Sequence, residues 1–318
     1  MFDPNFNPEF GIALDRFDAS WRINSETPTI DLLKQEIDAL PEYLLDRGNK
    51  AAAIVDIETY RKAETATRFL GDDVEQYHSH GILTMWVIAK VMNQHSQKLL
   101  EYNETRPVRS RIFTTEEGRC VLSAGLFHDF LGVFKQGEGM ASAQMAQVEE
   151  ILNRSYAYGQ LSVQEVKRLI TGTEYEIDSQ NPVRFNPDGR YRFDAPELDI
   201  FQLLVVFGDL MQIGASDYKE MVEKGLKIKF SMPLSLALVT TMVIRELATK
   251  LGINPPYLVI PEEIRANVIH SLTNVADYDV LNLPQVSADS SEKYSPLGLQ
   301  NFTHELLGID ISGSKADP

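Results

Sequence analysis

Cysteine is nearly absent from this chain: Cys120 is the only one in 318 residues. An internal disulfide is therefore excluded, and metal binding, if any, falls to histidine and carboxylate. Basic residues are short as well, 30 against 46 acidic, for a net charge of −16. Such a surface repels nucleic-acid backbones and anionic lipid. No dense Lys/Arg cluster offsets it, so long nucleic acid is an unfavourable partner, whereas a small phosphorylated molecule is compatible. Long apolar runs are missing too. The most apolar stretch, Met232 to Ile244, falls short of the ~20 residues that span a bilayer and reads as a core helix. The amino-terminal MFDPNFNPEFGIALDRFD has no basic start followed by an apolar run. No membrane association and a cytoplasmic location are the expectations.

What is present is mostly helical pattern. Hydrophobic residues make up 43% of the chain, enough for a sizeable core. Ile30 to Leu45 carries Leu32, Leu33, Ile37, Leu40 and Leu44 at spacings of three and four, one face of a helix. Ala51 to Leu70 continues in that style. Val74 to Leu100 reads as one long helix whose first turn could begin as late as Ser79. Thr114-Thr115-Glu116-Glu117 and Ser162-Val163-Gln164-Glu165 have the form of capping boxes, in which a hydroxyl and a carboxylate satisfy free N–H groups. Pro196 suits the first turn of a helix reaching about Ile213. Further helices are expected at Met232 to Leu251, Glu262 to Val275 and about Leu297 to Leu307. Alternating β pattern is confined to Asp178 to Asp194, where Asp188-Gly189 stands between Val183-Arg184-Phe185 and Tyr191-Arg192-Phe193, a hairpin signal. The expected fold is all-α: a core over residues 72–230, helical extensions at 1–71 and 231–318, and one hairpin or long loop insertion.

The doublet His128-Asp129 stands within VLSAGLFHDFLGVF, an almost wholly apolar stretch read as one helix. Buried polar groups left unpaired cost a few kcal/mol, so both side chains need partners. Adjacent helical residues point about 100° apart, so one ion at the helix flank could take both as ligands. The bland alternative is a helix-capping or core-hydrogen-bonding pair. Against it, His78 and His80 lie about fifty residues earlier near a helix start, and Asp209 lies in a third apolar helix, LLVVFGDLMQIG.

In this order on successive helices, His…His-Asp…Asp resembles the HD superfamily of metal-dependent phosphohydrolases. Ala124-Gly125-Leu126-Phe127-His128-Asp129 is similar to that family's A-x-L-x-H-D helix. Glu138 to Leu152 resembles the Glu-then-small-residue helix that follows. Val166 to Thr173 resembles the next, with its Ile-x-x-Thr ending, and Leu204 to Gly214 the closing helix with Asp-Leu-x-x-x-Gly. The resemblance covers about Tyr77 to Tyr218.

It implies a metal centre made by His128, Asp129, Asp209 and either His78 or His80. Imidazole plus carboxylate suits Mn, Fe, Zn, Ni or Mg. Asp129 could bridge a second metal, but the family's later histidines are missing, the next being His270. One tightly bound divalent ion is therefore the expectation, with a second only if carboxylates or water hold it. Gly132 also comes one residue later than in the family's His-Asp-x-Gly. Tyr77-His78-Ser79-His80 is similar to the phosphodiesterase branch's Tyr-His-Asn, although its spacing is two rather than four. On this reading His80 is the ligand and His78 donates a proton to the leaving group; the reverse stays open. Lys135 and Arg168 are the expected phosphate contacts. Gln136, Arg184, Arg190 and Arg192 are weaker candidates, as are Glu174 and Glu176 for a second metal. His95, His270 and His304 read as structural, and Cys120 as a buried small hydrophobe.

The implied activity is hydrolysis of a phosphomonoester or phosphodiester of a small molecule, such as a nucleotide, by a metal-activated water. Two alternatives stand beside it: the di-iron oxygenase branch, disfavoured by the missing histidines, and a non-catalytic helical sensor with a structural metal. The outer segments extend the core, cover the site or form a homodimer interface.

Overall fold

The computed structural model describes residues 29–67, 80–105, 115–128, 146, 148–153, 160–171, 184–185, 191–192, 198–211, 234–273, 304–305 and 307–308; for 29, 61–67, 80, 115, 160–161, 171, 184–185, 191–192, 234–239, 267, 270–271 and 273 it describes the backbone only. The chain divides into two compact units, Met1–Glu174 with Leu204–Gln212, and Tyr175–Leu203 with Ile213–Pro318. Among the described residues the fold is all-α apart from one two-residue ladder.

In the first unit, helix α1 spans Thr29–Ala39 and buries Leu33 and Ile37. It stops well short of the expected Leu45 because Pro41 disfavours helical geometry at the residue before it. Leu44 and Leu45 are buried nonetheless, from a turn in which both of their N–H groups donate to the Pro41 carbonyl, at 2.9 and 3.1 Å. Helix α2, Arg47–Thr67, opens earlier than expected because the Asp46 carboxylate accepts the Asn49 N–H at 2.8 Å, an N-cap.

The long helix expected from Val74 to Leu100 is two. Helix α3 runs His80–Gln94 and α4 runs Ser96–Glu104, broken at His95 with φ −117° and ψ 22°. The apolar period continues through the break because the hydrogen-bond ladder does: His95 N–H donates to Val91 and Leu99 N–H to His95, both at 2.9 Å.

Helix α3 is buried on all sides, from Ile82 through Ala89 and on to Met92, which marks it as the centre of the unit. On one side it meets α1. There Lys90 Nζ lies 2.6 Å from the Glu36 carboxylate and 5.6 Å from the Trp86 ring centroid, and Asn93 donates to the Glu36 carbonyl at 2.8 Å. On another side it meets α5, Thr115–Phe127. Glycine makes that approach possible: a Cβ on Gly125 would overlap Ile88 Cδ1, and a Cβ on Gly81 would overlap the Leu126 carbonyl. The last turn of α5 thus abuts the first turn of α3, where the partial charges of the two helix ends are opposite.

Helix α6, Gln160–Thr171, also packs on α5. The capping box expected at Ser162 does not form, since the helix is already open at Gln160. The Ser162 hydroxyl instead donates to Glu116, and Glu165 binds Arg168. The other expected box begins at Thr114, outside the described residues. Residues 148–153 are helical, with Val148 and Leu152 buried.

Helix α7 spans Ile200–Leu210, and its residues from Leu204 belong to the first unit. Its start is not at Pro196. Asp199 is the N-cap, its Oδ1 accepting from the N–H groups of Phe201 and Gln202, both at 2.9 Å, while Gln202 Oε1 accepts from Asp199 N–H at 3.3 Å. This is a reciprocal box of the kind sought elsewhere in the sequence. A Cβ on Gly208 would stand 2.9 Å from Ile88 Cγ1 and 3.0 Å from the Thr84 carbonyl, so α7 lies against α3 beside α5.

In the second unit the expected hairpin is present as a ladder of β1, Arg184–Phe185, and β2, Tyr191–Arg192, paired antiparallel with Arg184 opposite Arg192. Helix α8, Leu234–Lys250, ends where expected. Gly252 adopts φ 62° and Ile253 N–H closes back on the Ala248 carbonyl at 2.8 Å, a glycine C-cap. A short 3-10 turn at Pro256–Val259 packs with α8 and with helix α9, Glu262–Thr273. No helix among the described residues is long and apolar enough to cross a membrane.

Candidate metal centre

The site begins at the end of α5. His128 is the first residue past the helix, not an interior one, and is 3% exposed. Its Nδ1 lies 2.8 Å from the Gly125 carbonyl oxygen, one of the carbonyls that a helix end leaves without an internal partner. The sequence argument that His128 sits inside a helix is therefore corrected, and the capping role belongs to His128 in fact; Asp129 lies outside the described residues. That role uses only one ring nitrogen.

The other nitrogen, Nε2, lies 3.1 Å from Asp209 Oδ1 on α7, 81 residues away in the chain. A carbonyl oxygen only accepts, so Nδ1 carries the hydrogen toward Gly125. In a neutral imidazole Nε2 then presents a lone pair, and an ionised carboxylate also only accepts. Two acceptors facing each other at 3.1 Å require a positive species between them, either a proton or a metal ion.

A metal ion fits this donor set. Metal-bound histidines commonly donate the second ring N–H to a backbone carbonyl, which fixes the tautomer and aims the free nitrogen at the ion. His128 Nε2 and Asp209 Oδ1, 3.1 Å apart, would together hold such an ion through one imidazole and one carboxylate. The Asp209 side chain is 27% exposed, so the pair is reachable from solvent on the carboxylate side.

Glycines set the meeting of α5 and α7. Gly125 supplies the carbonyl for His128, Gly208 directly precedes Asp209, and both lie against the buried Thr84 and Ile88 of α3. Helix α3 opens at His80, and the next residue, Gly81, lies against the Leu126 carbonyl, two positions before His128. The backbone of His80 is thereby at the same end of α5 as His128.

Of the residues expected at the site, the structure brings His128 and Asp209 together. His78, Asp129 and Lys135 lie outside the described residues, as does the side chain of His80. Among the described residues no group of three or more His, Cys, Asp or Glu side chains is gathered for a metal. Arg168 is already engaged, its guanidinium meeting Glu165 at 2.6 and 2.8 Å, so a phosphate would have to compete with that carboxylate. Of the weaker candidates, the backbones of Arg184 and Arg192 face each other across the ladder; Gln136, Glu174, Glu176 and Arg190 lie outside the described residues.

Two buried polar groups near α5 escaped the sequence reading. Asp56 on α2 is 2% exposed and accepts from the Ser123 hydroxyl at 3.5 Å. Tyr60, one turn on, is also buried and packs edge-on against Phe127, centroids 5.6 Å apart. Nothing in the local sequence marks either one, because a single aspartate or tyrosine in a long helix looks the same whether it faces core or solvent.

Cys120 is buried and reduced, as expected, with its sulfur 3.7 Å from the Ser162 carbonyl. Burial pushes its thiol up to about 12. The neutral thiol is the form the fold favours, so its stabilising contribution is complete below the ordinary thiol range near 9 and is lost between about 9 and 12. The thiol is expected to resist disulfide-exchange reagents at pH 8 in the folded chain and to react fully in denaturant. A titration of both states checks this, and rapid reaction of the folded chain would contradict it.

Comparisons of the chain with known protein families, with curated proteins and with solved structures find no match.

Proposed function

We propose that this chain is a metal-dependent hydrolase of a small phosphorylated molecule, a phosphomonoester or phosphodiester, with nucleotides as the first class to try. The observation that carries the reading is the His128–Asp209 pair, whose Nε2 and Oδ1 lie 3.1 Å apart while Nδ1 is tied to a backbone carbonyl. With the resemblance noted in the sequence, Asp129 and a histidine from the start of α3 complete the donor set. The position of Gly81 against Leu126 favours His80 as that histidine. A divalent ion of the Mn, Fe, Zn, Ni or Mg group would supply an activated water and a positive charge for the phosphoryl oxygens.

The chain's own side chains do the rest. His128 is held in the ligating tautomer by Gly125, Asp209 supplies negative charge to the same centre, and His78 protonates the leaving oxygen. Lys135 contacts substrate phosphate, and Arg168 does so by exchanging its Glu165 partner. A metal centre also explains how a chain of net charge −16 accepts an anionic substrate. The reduced, buried Cys120 suits a cytoplasmic setting.

Metal analysis of the purified chain, followed by phosphate release from a panel of phosphate esters with added Mn, tests the reading. One divalent ion and turnover on at least one ester are expected. Bound metal with no turnover on any ester removes the hydrolase; two irons per chain move the reading to the oxygenase branch.

A further inference from the structure

We infer that Tyr60 is a positioning residue for this centre: an aromatic strut that sets the distance between the helix end carrying His128 and the helix start carrying His80. The inference rests on the metal-site reading above and goes beyond it, because Tyr60 is neither ligand nor part of any motif that suggested the site.

Tyr60 comes from α2, a helix that supplies no candidate ligand. Its side chain is 4% exposed and bridges the other two helices. The ring meets Phe127 edge-on, with centroids 5.6 Å apart and planes at 71°. The hydroxyl oxygen lies 3.0 Å from where a Cβ on Gly81 would stand. Phe127 is the residue before His128 and Gly81 is the residue after His80. One rigid side chain with two rotatable bonds thus touches the chain neighbour of both histidines.

The two halves of the centre have separate supports. The α5–α7 pair, His128 with Asp209, is held by Gly125 and Gly208 against Thr84 and Ile88. The approach of α3's first turn to α5's last turn has Tyr60 in it. Shortening Tyr60 therefore alters the contribution from α3 while leaving His128–Asp209 in place. The ring makes the contact with Phe127 and the hydroxyl the approach to Gly81, so phenylalanine keeps the first and loses the second.

The test is Co(II) binding by the full chain, read by titration and by the visible absorption spectrum of the bound ion, in wild type, Tyr60→Phe and Tyr60→Leu. Thermal unfolding of each metal-free chain accompanies it. Tyr60→Phe, which keeps the ring against Phe127 but loses the oxygen beside Gly81, is expected to bind Co(II) with an affinity between those of wild type and Tyr60→Leu. Tyr60→Leu is expected to bind about tenfold or more weakly with a changed spectrum, since loss of a well-supported geometry costs metal affinity on that scale. Should Tyr60→Leu not fold, Tyr60→Met replaces it.

Wild-type affinity and spectrum in a folded Tyr60→Leu or Tyr60→Met overturn the strut. So does a Tyr60→Phe that binds no better than Tyr60→Leu, because the ring against Phe127 would then contribute nothing to the spacing. A wild-type chain that binds no Co(II) overturns the metal reading itself, and the strut with it; Co(II) binding lost in His128→Ala separates that case from failure of the strut alone.

Discussion

In Asp209→Asn, divalent-metal affinity is expected to fall by about a hundredfold or more, while the metal-free chain keeps its stability to within about 1 kcal/mol. The two halves of this expectation come from one geometry. With Nδ1–H directed at Gly125, Nε2 of a neutral His128 would present a lone pair to Asp209 Oδ1 at 3.1 Å. An amide at position 209 has an N–H₂ group that donates to that lone pair directly, so the metal-free pair is satisfied without any cation. The same amide lacks the charge that makes a carboxylate a good ligand for a hard or borderline ion.

Calorimetric titration with Mn or Co, and urea unfolding in the presence of chelator, read the two quantities separately. Undiminished metal binding would remove Asp209 from the centre. A large loss of metal-free stability would mean that the pair is an imidazolium–carboxylate ion pair on which the fold depends.

Gly81→Ala is expected to be the most damaging conservative change at the site. The new methyl would overlap the backbone carbonyl of Leu126, which cannot rotate away as a side chain would. Forced overpacking of this kind costs about 3 kcal/mol, a fall in Tm of roughly 6–12 °C for a domain of 150–250 residues. The strain falls between the first turn of α3 and the last turn of α5, so metal binding should weaken further than the loss of stability alone would produce. Differential scanning calorimetry with and without saturating metal checks both parts. A Tm within about 2 °C of wild type, well inside that scale, would show that the helix ends have room to part.

Much of the fold was legible from apolar spacing. The helices Leu234–Lys250 and Glu262–Thr273 lie within two residues of their expected bounds, and the ladder at Arg184 and Arg192 forms where the Asp-Gly signal placed it. The errors were at ends and breaks, and each has a local cause. Pro41 stops α1, His95 interrupts the α3–α4 run without disturbing its period, and Asp199 opens α7 in place of Pro196. The Ser162 box failed because its hydroxyl and Glu165 found Glu116 and Arg168, partners that no spacing rule can see.

The site divides in the same way. The types and order of its residues, an imidazole at 128 in apolar surroundings and a carboxylate at 209 in another apolar helix, were determined by the sequence alone, because a buried polar group in such company must have a partner. Which partner was a matter for the tertiary structure. Only packing at Gly125 and Gly208 against Thr84 and Ile88 brings groups 81 residues apart to 3.1 Å, and only the Gly125 carbonyl decides which ring nitrogen meets the carboxylate. Hydrophobic period records which face of a helix is buried, but it carries no distance between helices; that distance is set by side-chain volume at the contact, and here by its absence at two glycines.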